Sequence, residues 1–213
     1  MVKLIITFHY YHIILHSMKV AVIGATGFVG KALLHELLDR DHMVIGIARH
    51  PEKLGFRHPG LSMKAGDVMG EGVVAALVKG QDAVISAYNP GMSDPNMYKN
   101  YLEGAQAIQA GVKKSGVKRF IVSGGGDSLE VAARDYFDIL KNEQELEWTF
   151  FSPVIFMNAG TSGKRRGVYR TGLDQPVFDN NGKSIISVED QAVAIADELE
   201  HPKYIRQRFT AAY

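Results

Sequence analysis

The feature that most constrains the fold is the run KVAVIGATGFVG at residues 19–30. After one lysine it begins with an uninterrupted apolar stretch, typical of a strand buried on both faces of a parallel sheet. Three glycines follow at a spacing of three, and a helical pattern then begins at Phe28. The inner face of that helix carries Leu33, Leu34, Leu37 and Leu38. A buried strand, a tight turn and a helix in this order predict the start of a βαβ unit.

The rest of the chain repeats this alternation of short apolar runs and helical stretches. Further strands are predicted at residues 43–48, 61–67, 82–88, 117–124 and 147–153. Helices are predicted at residues 28–39, 69–79, 97–115 and 129–146. Residues 154–186 predict a small, irregular, substrate-side region, followed by a helix at 188–200 with Ser187 as its N-cap and a last strand, RFTAAY. The alternation predicts an α/β fold with a doubly wound parallel sheet, the Rossmann architecture.

The composition fits one such domain. The chain has 213 residues, of which 46% are hydrophobic and 22% charged, as in ordinary globular proteins. A net charge of +1 predicts neither a nucleic-acid partner nor a membrane-binding surface. Cysteine is absent, which excludes thiol nucleophiles and thiolate metal sites and fits a reducing, cytoplasmic location.

Residues 1–17 differ from the rest of the chain. Their apolar clusters LIITF and IIL are separated by histidines, and they are too short and too interrupted to span a bilayer. No small-residue cleavage site follows, so the run does not resemble a signal peptide. We interpret residues 1–17 as an extension and residues 18–213 as a single domain. A hydrophobic anchor and an edge strand are the alternatives for the extension.

The glycine turn has the spacing needed to bind the pyrophosphate of a dinucleotide. Gly24 would permit the tight turn, Gly27 would let backbone amides approach the phosphates, and Gly30 would let the helix pack closely on the sheet. The phosphates would then lie at the positive end of the helix. The alternative is a glycine turn without a ligand.

The end of the second strand predicts which nicotinamide cofactor is bound. An acidic residue there would bind the ribose 2′-hydroxyl of NAD, but this strand ends in Ala48, Arg49 and His50, with Lys53 nearby. Arg49 can pair with a 2′-phosphate, so NADP(H) is favoured over NAD(H), unless Arg49 is only a solvated loop charge. Asp67, after the third strand, either bounds the adenine pocket or caps the next helix.

Several segments resemble the atypical branch of the short-chain dehydrogenase/reductase superfamily. They are GATGFVG, ARHPEKL, AGDV, DAVISAYNPG, VKRFIVSGGGDSLEV and GKSIISVEDQAVAIADELEHPKYIRQRFTAAY, and the resemblance covers residues 18–213. Within that branch the chain resembles bacterial proteins named NADH-flavin reductase or NAD-dependent epimerase/dehydratase, which are related to NmrA-like proteins and biliverdin-IXβ/flavin reductases. The resemblance implies cofactor contacts at Gly24, Thr26, Gly27, Phe28, Val29 and Arg49, adenine contacts at Asp67 and Val68, ribose contacts at Ser86 and Ala87, and nicotinamide contacts at Ser123 and Gly124.

The chain departs from that family after SLEV, where the resemblance implies a loop longer by roughly twenty residues over the active-site mouth. The Tyr-x-x-x-Lys dyad of most reductases of the superfamily is also missing. Tyr136 and Lys141 are five residues apart, which turns a helix by about 500° and points the two side chains away from each other. We therefore expect Tyr136 and Phe137 to pack or to rim the pocket, and Lys141 to be solvated.

Other polar and aromatic side chains have two open interpretations each. Ser123, at the end of the fifth strand, either orients a substrate or the nicotinamide, or bonds the following glycine turn. Four residues flank the expected cleft, where they either stack on a planar ligand or pack: Tyr88, Asn89, Tyr98 and Tyr101. We expect His35, His42, His58 and His201 at the surface, and no metal site.

These observations favour an NADPH-dependent oxidoreductase that passes hydride to a flavin, a quinone or another planar, conjugated small molecule. Such an acceptor spreads the developing charge and can take its proton from solvent, so it needs no positioned acid. A non-catalytic NADP(H)-sensing regulator is the alternative, and a sugar-nucleotide epimerase or dehydratase is the third hypothesis. The acceptor and the oligomeric state do not follow from the sequence.

Overall fold

The computed structural model of the protein describes residues 17–91, 93–125, 129–154 and 162–213. The predicted extension at residues 1–17 therefore lies outside the described residues, except for Ser17. The strands are β1 (Lys19–Ile23), β2 (Met43–Ala48), β3 (Leu61–Ala65), β4 (Ala83–Ser86), β5 (Arg119–Ser123), β6 (Glu147–Phe151), β7 (Arg170–Gly172) and β8 (Gln207–Ala212). The helices are α1 (Phe28–Asp39), α2 (Glu71–Val78), α3 (Met97–Ser115), α4 (Glu130–Leu140) and α5 (Val188–Glu200), and a short 3₁₀ helix spans Pro51–Leu54.

The strands form one sheet in the order β3-β2-β1-β4-β5-β6-β8-β7. Every neighbouring pair is parallel except β7 with β8. The chain leaves β1 in one direction to build β2 and β3, and later returns to the other side of β1 to build β4. This reversal beside β1 opens a crevice at the carboxyl ends of the strands, where ligands bind in such sheets. The predicted doubly wound α/β fold is confirmed.

Two apolar layers cover the sheet because the side chains of each strand alternate between its faces. In β1, Val20 and Val22 pack with helices α1 and α5, whereas Ala21 and Ile23 pack with α2, α3 and α4. The inner face predicted for α1 is correct, since its four named leucines are all buried. Helices α1 and α5 also pack against each other on their side of the sheet.

Beyond shifts of one or two residues at the ends of elements, two predictions differ from the structure. The helix expected at residues 129–146 ends at Leu140, because the buried Glu143 folds a turn there by accepting the N–H of Glu145 at 2.6 Å. The segment expected to be irregular contains β7, which is only three residues long and pairs with β8. Neither feature has a periodic sequence pattern. The end of α4 depends on a side-chain contact of Glu143, and β7 depends on pairing with the distant strand β8.

His42 was predicted at the surface, and this prediction is wrong. Its side chain is 1% exposed, and its Nδ1 accepts the N–H of Met18 at 3.1 Å. Its Nε2 lies 3.1 Å from Oε1 of Glu200 at the end of α5. The ring thus joins the start of β1 to the last helix, a contact between distant parts of the chain that local sequence does not predict. His35, His58 and His201 are exposed, as expected.

Candidate dinucleotide site

The turn after β1 requires glycine at two of its three glycine positions, Gly24 and Gly30. Gly24 has a φ of +79°, and a Cβ atom there would lie 2.4 Å from the carbonyl oxygen of Ala87. A Cβ atom on Gly30 would lie 2.1 Å from the carbonyl oxygen of Gly24. Gly27 donates its N–H to that same oxygen at 2.9 Å. Only a backbone without side chains can fold this tightly, and it brings α1 directly against the ends of β1 and β4.

The N-terminus of α1 is open. Gly27 is its N-cap, with extended backbone angles and no side-chain hydrogen bond, and the first turn contains no acidic residue. The first N–H groups of a helix have no partners inside the helix and carry its positive partial charge. Gly27, Phe28 and Val29 line a cavity. This helix end can therefore bind an anion such as a pyrophosphate.

The cavity has a volume of about 690 Å³ and lies over the turn, at the carboxyl ends of the parallel strands. The predicted contact residues that line it are Gly24, Thr26, Gly27, Phe28, Val29, Arg49, Asp67, Val68, Ala87, Ser123 and Gly124. Gly30 does not line the cavity, because it packs beneath the turn. Ser86 is buried within β4, so the ribose contact expected there is not supported, whereas its neighbour Ala87 does line the cavity.

Basic side chains line the cavity beyond the end of β2. Arg49 is exposed, and its Nη2 donates to the carbonyl oxygen of Pro90 at 2.8 Å across the cavity. His50 and Lys53 follow, and β2 itself ends without a carboxylate. Asp67 lies opposite, after β3. Its carboxylate accepts the N–H of Met69 at 3.1 Å and does not cap α2, whose N-cap is Gly70, so the capping interpretation of Asp67 is wrong.

The other end of the cavity is small and mostly apolar. It is lined by Gly124, Gly125, Leu129 and Val154, together with the hydroxyl-bearing Ser123. Ser123 is 5% exposed, and its Oγ accepts a hydrogen bond of 3.1 Å from Nε2 of Gln191 on α5. Gly124 donates its N–H to the carbonyl oxygen of Phe151 at 2.8 Å, which holds the chain after β5 against β6.

Tyr136 and Lys141 do not form a catalytic dyad. Tyr136 is 1% exposed, and its hydroxyl donates to Oε1 of Gln109 at 3.1 Å. Burial holds the pKa of Tyr136 well above its usual value, so it would lose its proton reluctantly. Lys141 lies beyond the end of α4, is about half exposed and pairs with Asp138 at 2.6 Å. Neither residue lines the cavity, so of the two expectations for Tyr136, packing and rimming the pocket, the structure shows packing.

The flanking aromatic residues mostly pack. Tyr88 lines the cavity, but its hydroxyl donates to the carbonyl oxygen of Asn100 at 3.1 Å, and its ring fills the space that a Cβ atom on Gly104 would need. Burial raises the pKa of Tyr88, and the nearby Arg49 partly offsets this. Tyr101 is buried, and Tyr98 donates to Asp135 at 2.6 Å; neither lines the cavity. Asn89 does line it.

Sequence reasoning missed several lining residues, among them Pro90, Asp94, Leu129 and Val154. Val154 could have been found, because it follows a parallel strand and ligands bind at such strand ends. Gln191 was also missed, although a glutamine at an inward position of an apolar helix stretch is an unusual signal. Asp94 lies in a loop, where no periodicity marks a site.

Two other classes of site have no support among the described residues. No cluster of three or more histidine, aspartate and glutamate side chains in this part of the chain could bind a metal ion. Across the same residues, no helix is both long enough and apolar enough to cross a bilayer.

Comparison with known proteins agrees with this geometry. Residues 24–202 match the family model described as NAD(P)H-binding. YwnB of Bacillus subtilis, itself uncharacterised, is 31% identical over 216 aligned positions, which cover 91% of this chain and 97% of YwnB. A structure from Bacteroides thetaiotaomicron, named as a candidate epimerase, is 39% identical with a TM-score of 0.83, and the match covers 92% of this chain and 97% of that one.

A structure from Streptococcus pneumoniae, named as a candidate NADH-flavin reductase, is 26% identical with a TM-score of 0.77. That match covers 92% of this chain and 99% of the other. The match over residues 24–202 includes the open helix end and the lined cavity. The chain therefore belongs to the NAD(P)H-binding family of Rossmann proteins, the atypical short-chain dehydrogenase/reductases.

Proposed function

We propose that the protein is an NADPH-dependent reductase of planar, conjugated small molecules such as flavins or quinones. The observation that carries the proposal is the lining of the cavity over the glycine turn: basic side chains beyond β2, the N-terminus of α1 without a side-chain cap, and a mostly apolar end beside β5 and β6. These three parts fit, in turn, the 2′-phosphate of NADPH, its pyrophosphate, and the acceptor beside its nicotinamide. Tyr136 and Lys141 do not line the cavity. The absence of cysteine makes the cytoplasm the expected compartment.

The middle of the cavity fits a dinucleotide pyrophosphate. The turn at Gly24 and Gly27 leaves no side chain between the backbone and the cavity, and the uncapped N-terminus of α1 offers unpaired N–H groups. A Cβ atom on Gly24 would strike Ala87 and force the turn open. The cradle therefore depends on the glycines, as expected when a phosphate must approach the backbone closely.

The basic end supports NADP(H) over NAD(H). A ribose 2′-phosphate carries negative charge, and Arg49 provides a planar cation that can bond it through two N–H groups. Lys53 makes no ion pair with any described residue, so its ammonium is available as a second cation. A 2′-hydroxyl would instead need a carboxylate at the end of β2, where Ala48 is followed by Arg49.

The mostly apolar end of the cavity supports a conjugated acceptor. A bound NADPH supplies the hydride, which leaves its nicotinamide ring for the acceptor. Reduction of an isolated carbonyl concentrates charge on one oxygen and benefits from a positioned acid, but Tyr136 is bonded to Gln109 away from the cavity. Gly124 and Val154 would border a ring that lies against the nicotinamide of a bound NADPH, and solvent would supply the proton.

A non-catalytic NADP(H) sensor is the second candidate, because it too would need the cofactor cradle without an acid–base pair. The two candidates differ in turnover. An epimerase or dehydratase is less consistent with the displaced Tyr136 and Lys141, since that chemistry commonly uses the dyad.

The test is NADPH oxidation, followed by absorbance at 340 nm with FMN, FAD, a quinone or biliverdin, together with NADPH binding followed by its fluorescence. We expect acceptor-dependent turnover, and we expect Arg49→Ala to weaken NADPH binding about 10- to 100-fold, as the loss of a charge-assisted hydrogen bond would. NADH binding is the matched control and should not change. Tight NADPH binding without turnover would instead identify a sensor, and failure to bind either nucleotide would overturn both candidates.

A further inference from the structure

Gln191 is a buried polar side chain on α5 with an unsatisfied oxygen. It is fully buried on α5, between neighbours such as Ala192 and Ile195 that belong to the core. Its Nε2 donates to Oγ of Ser123 at 3.1 Å, while its Oε1 is shielded from solvent and accepts no hydrogen bond from any described residue. An unsatisfied buried acceptor destabilises a protein, and an apolar side chain of the same size would remove that cost. Stability alone therefore does not explain a glutamine at this position.

The direction of the hydrogen bond gives the glutamine a role. Because the amide N–H donates, the Ser123 oxygen is the acceptor, and the hydroxyl hydrogen is left to point elsewhere. Ser123 ends β5 and lines the mostly apolar end of the cavity, as do Gly124 and Val154. The Gln191 amide, on α5, thus donates to Oγ of Ser123 and favours an orientation in which the Ser123 hydroxyl donates toward the cavity.

We propose that Gln191 is a positioning residue that keeps Ser123 as a hydrogen-bond donor to the reduced acceptor. The ligand class follows from this donor: a planar, conjugated molecule with a carbonyl oxygen or ring nitrogen in conjugation with the atom that receives hydride. This inference rests on the proposed reductase function and adds the group that recognises the acceptor.

The chemistry balances without an acidic side chain. The C–H bond of the reduced nicotinamide breaks, its hydrogen and electron pair form a new bond to the acceptor, and the cofactor becomes NADP⁺. The π electrons of the acceptor shift onto its oxygen or nitrogen, which later takes a proton from solvent. A neutral O–H aimed at that atom stabilises the charge as it develops, and such a donor acts most strongly where water is excluded.

The experiment compares Gln191→Met with Ser123→Ala and with the double variant in the acceptor-dependent assay. Methionine has a similar volume but cannot donate to Ser123. We expect kcat to fall about 10- to 100-fold in Gln191→Met, as for a misplaced catalytic contact, with an unchanged Kd for NADPH. Its melting temperature should be no lower than that of the wild type, because an unpaired buried acceptor has been removed. The kcat of Ser123→Ala should fall at least as far as that of Gln191→Met. The kcat of the double variant should be no lower than that of Ser123→Ala alone.

Ile195→Met is the matched control, because it perturbs the packing of α5 one turn further along without touching this hydrogen bond. It should retain kcat. Normal turnover of Gln191→Met, or a loss that multiplies with that of Ser123→Ala, would overturn the inference and leave the reductase proposal standing. A wild-type protein that binds NADPH but reduces no acceptor would overturn both, so the two failures are distinguishable.

Discussion

The N-termini of α1 and α5 lie on the same side of the sheet and are built in opposite ways. At α5, Ser187 accepts the N–H of Asp190 at 3.0 Å, and the first turn carries two acidic residues. At α1, Gly27 offers no side chain, and the first turn carries no acid. Both helices have the same unpaired N–H groups and the same positive end. One end is satisfied by the protein itself, and the other is left for a ligand.

The contrast extends to the surroundings of each helix end. The Asp190 carboxylate accepts the N–H groups of Arg166 at 2.9 Å and Gly167 at 2.8 Å and the hydroxyl of Tyr213 at 2.6 Å, so it also fixes the segment that precedes β7. The α1 end faces the cavity instead. A helix N-terminus in this fold is therefore a structural joint or a binding site according to which side chains surround it.

The largest expected effect comes from removing the carboxylate at α5. Asp190→Ala leaves three buried or part-buried donors without their acceptor, so we expect the free energy of unfolding in urea to fall by about 3 kcal/mol or more. Asp190→Asn keeps the size of the side chain but not its charge. Its free energy of unfolding should lie between those of the wild type and of Asp190→Ala. NADPH affinity of the folded variants should be nearly unchanged, and a parallel loss of affinity would show that the two helix ends are not independent.

The converse change gives α1 the acid that α5 has. Gly27 has extended backbone angles suited to an N-cap, so in Gly27→Asp the carboxylate would satisfy the N–H groups that a pyrophosphate would otherwise use. We expect the Kd for NADPH to rise at least about 100-fold, while the melting temperature does not fall. Gly27→Ala is the control for bulk, since either Cβ lies 3.2 Å from the Gly24 carbonyl oxygen. Equal losses in both variants would assign the effect to bulk rather than to charge.

Sequence patterns predicted the parts of this comparison that are local. The glycine spacing and the apolar run of β1 predicted the turn, and Ser187 followed three residues later by Asp190 predicted the capped helix, both as observed. Periodicity also predicted α1 and α3 with their observed bounds. These features depend on residues close in the chain, where spacing alone determines geometry.

Contacts between distant segments were not predictable in the same way. The buried His42 lies beside Glu200, and Ser123 accepts a hydrogen bond from Gln191, which lies 68 positions away. The sequence left the role of Asp67 open between a cap and a cavity wall, and only the position of Gly70 decides it. Helical geometry alone predicted that Tyr136 and Lys141 point away from each other. Whether Tyr136 packs or rims the pocket was left open, and its contact with Gln109 decides for packing.

A smaller effect is expected at the cap itself. Ser187→Ala removes the hydrogen bond to Asp190, and we expect the free energy of unfolding to fall by about 1 kcal/mol, as is usual for an N-cap. Ser184→Ala is the matched control, because Ser184 is similarly buried but its hydroxyl bonds none of the described residues. Ser184→Ala should leave the free energy of unfolding unchanged. A Ser187→Ala protein as stable as the wild type would mean that Asp190 alone supports this end of α5.

The smallest effect sharpens the comparison, because it separates binding of the pyrophosphate from recognition of the 2′-phosphate. The N-terminus of α1 would bind NADPH and NADH alike, whereas Lys53 lies at the basic end of the cavity and should contribute only to NADPH. Since Lys53 is exposed, Lys53→Ala should weaken NADPH binding only about threefold at low salt, and less at high salt, where the charge is screened. Lys79→Ala, an exposed lysine preceding β4 near the amino ends of the strands, is the control and should change neither affinity. An equal loss for NADPH and NADH in Lys53→Ala would place this ammonium against the shared pyrophosphate, and the discrimination would then depend on Arg49 alone.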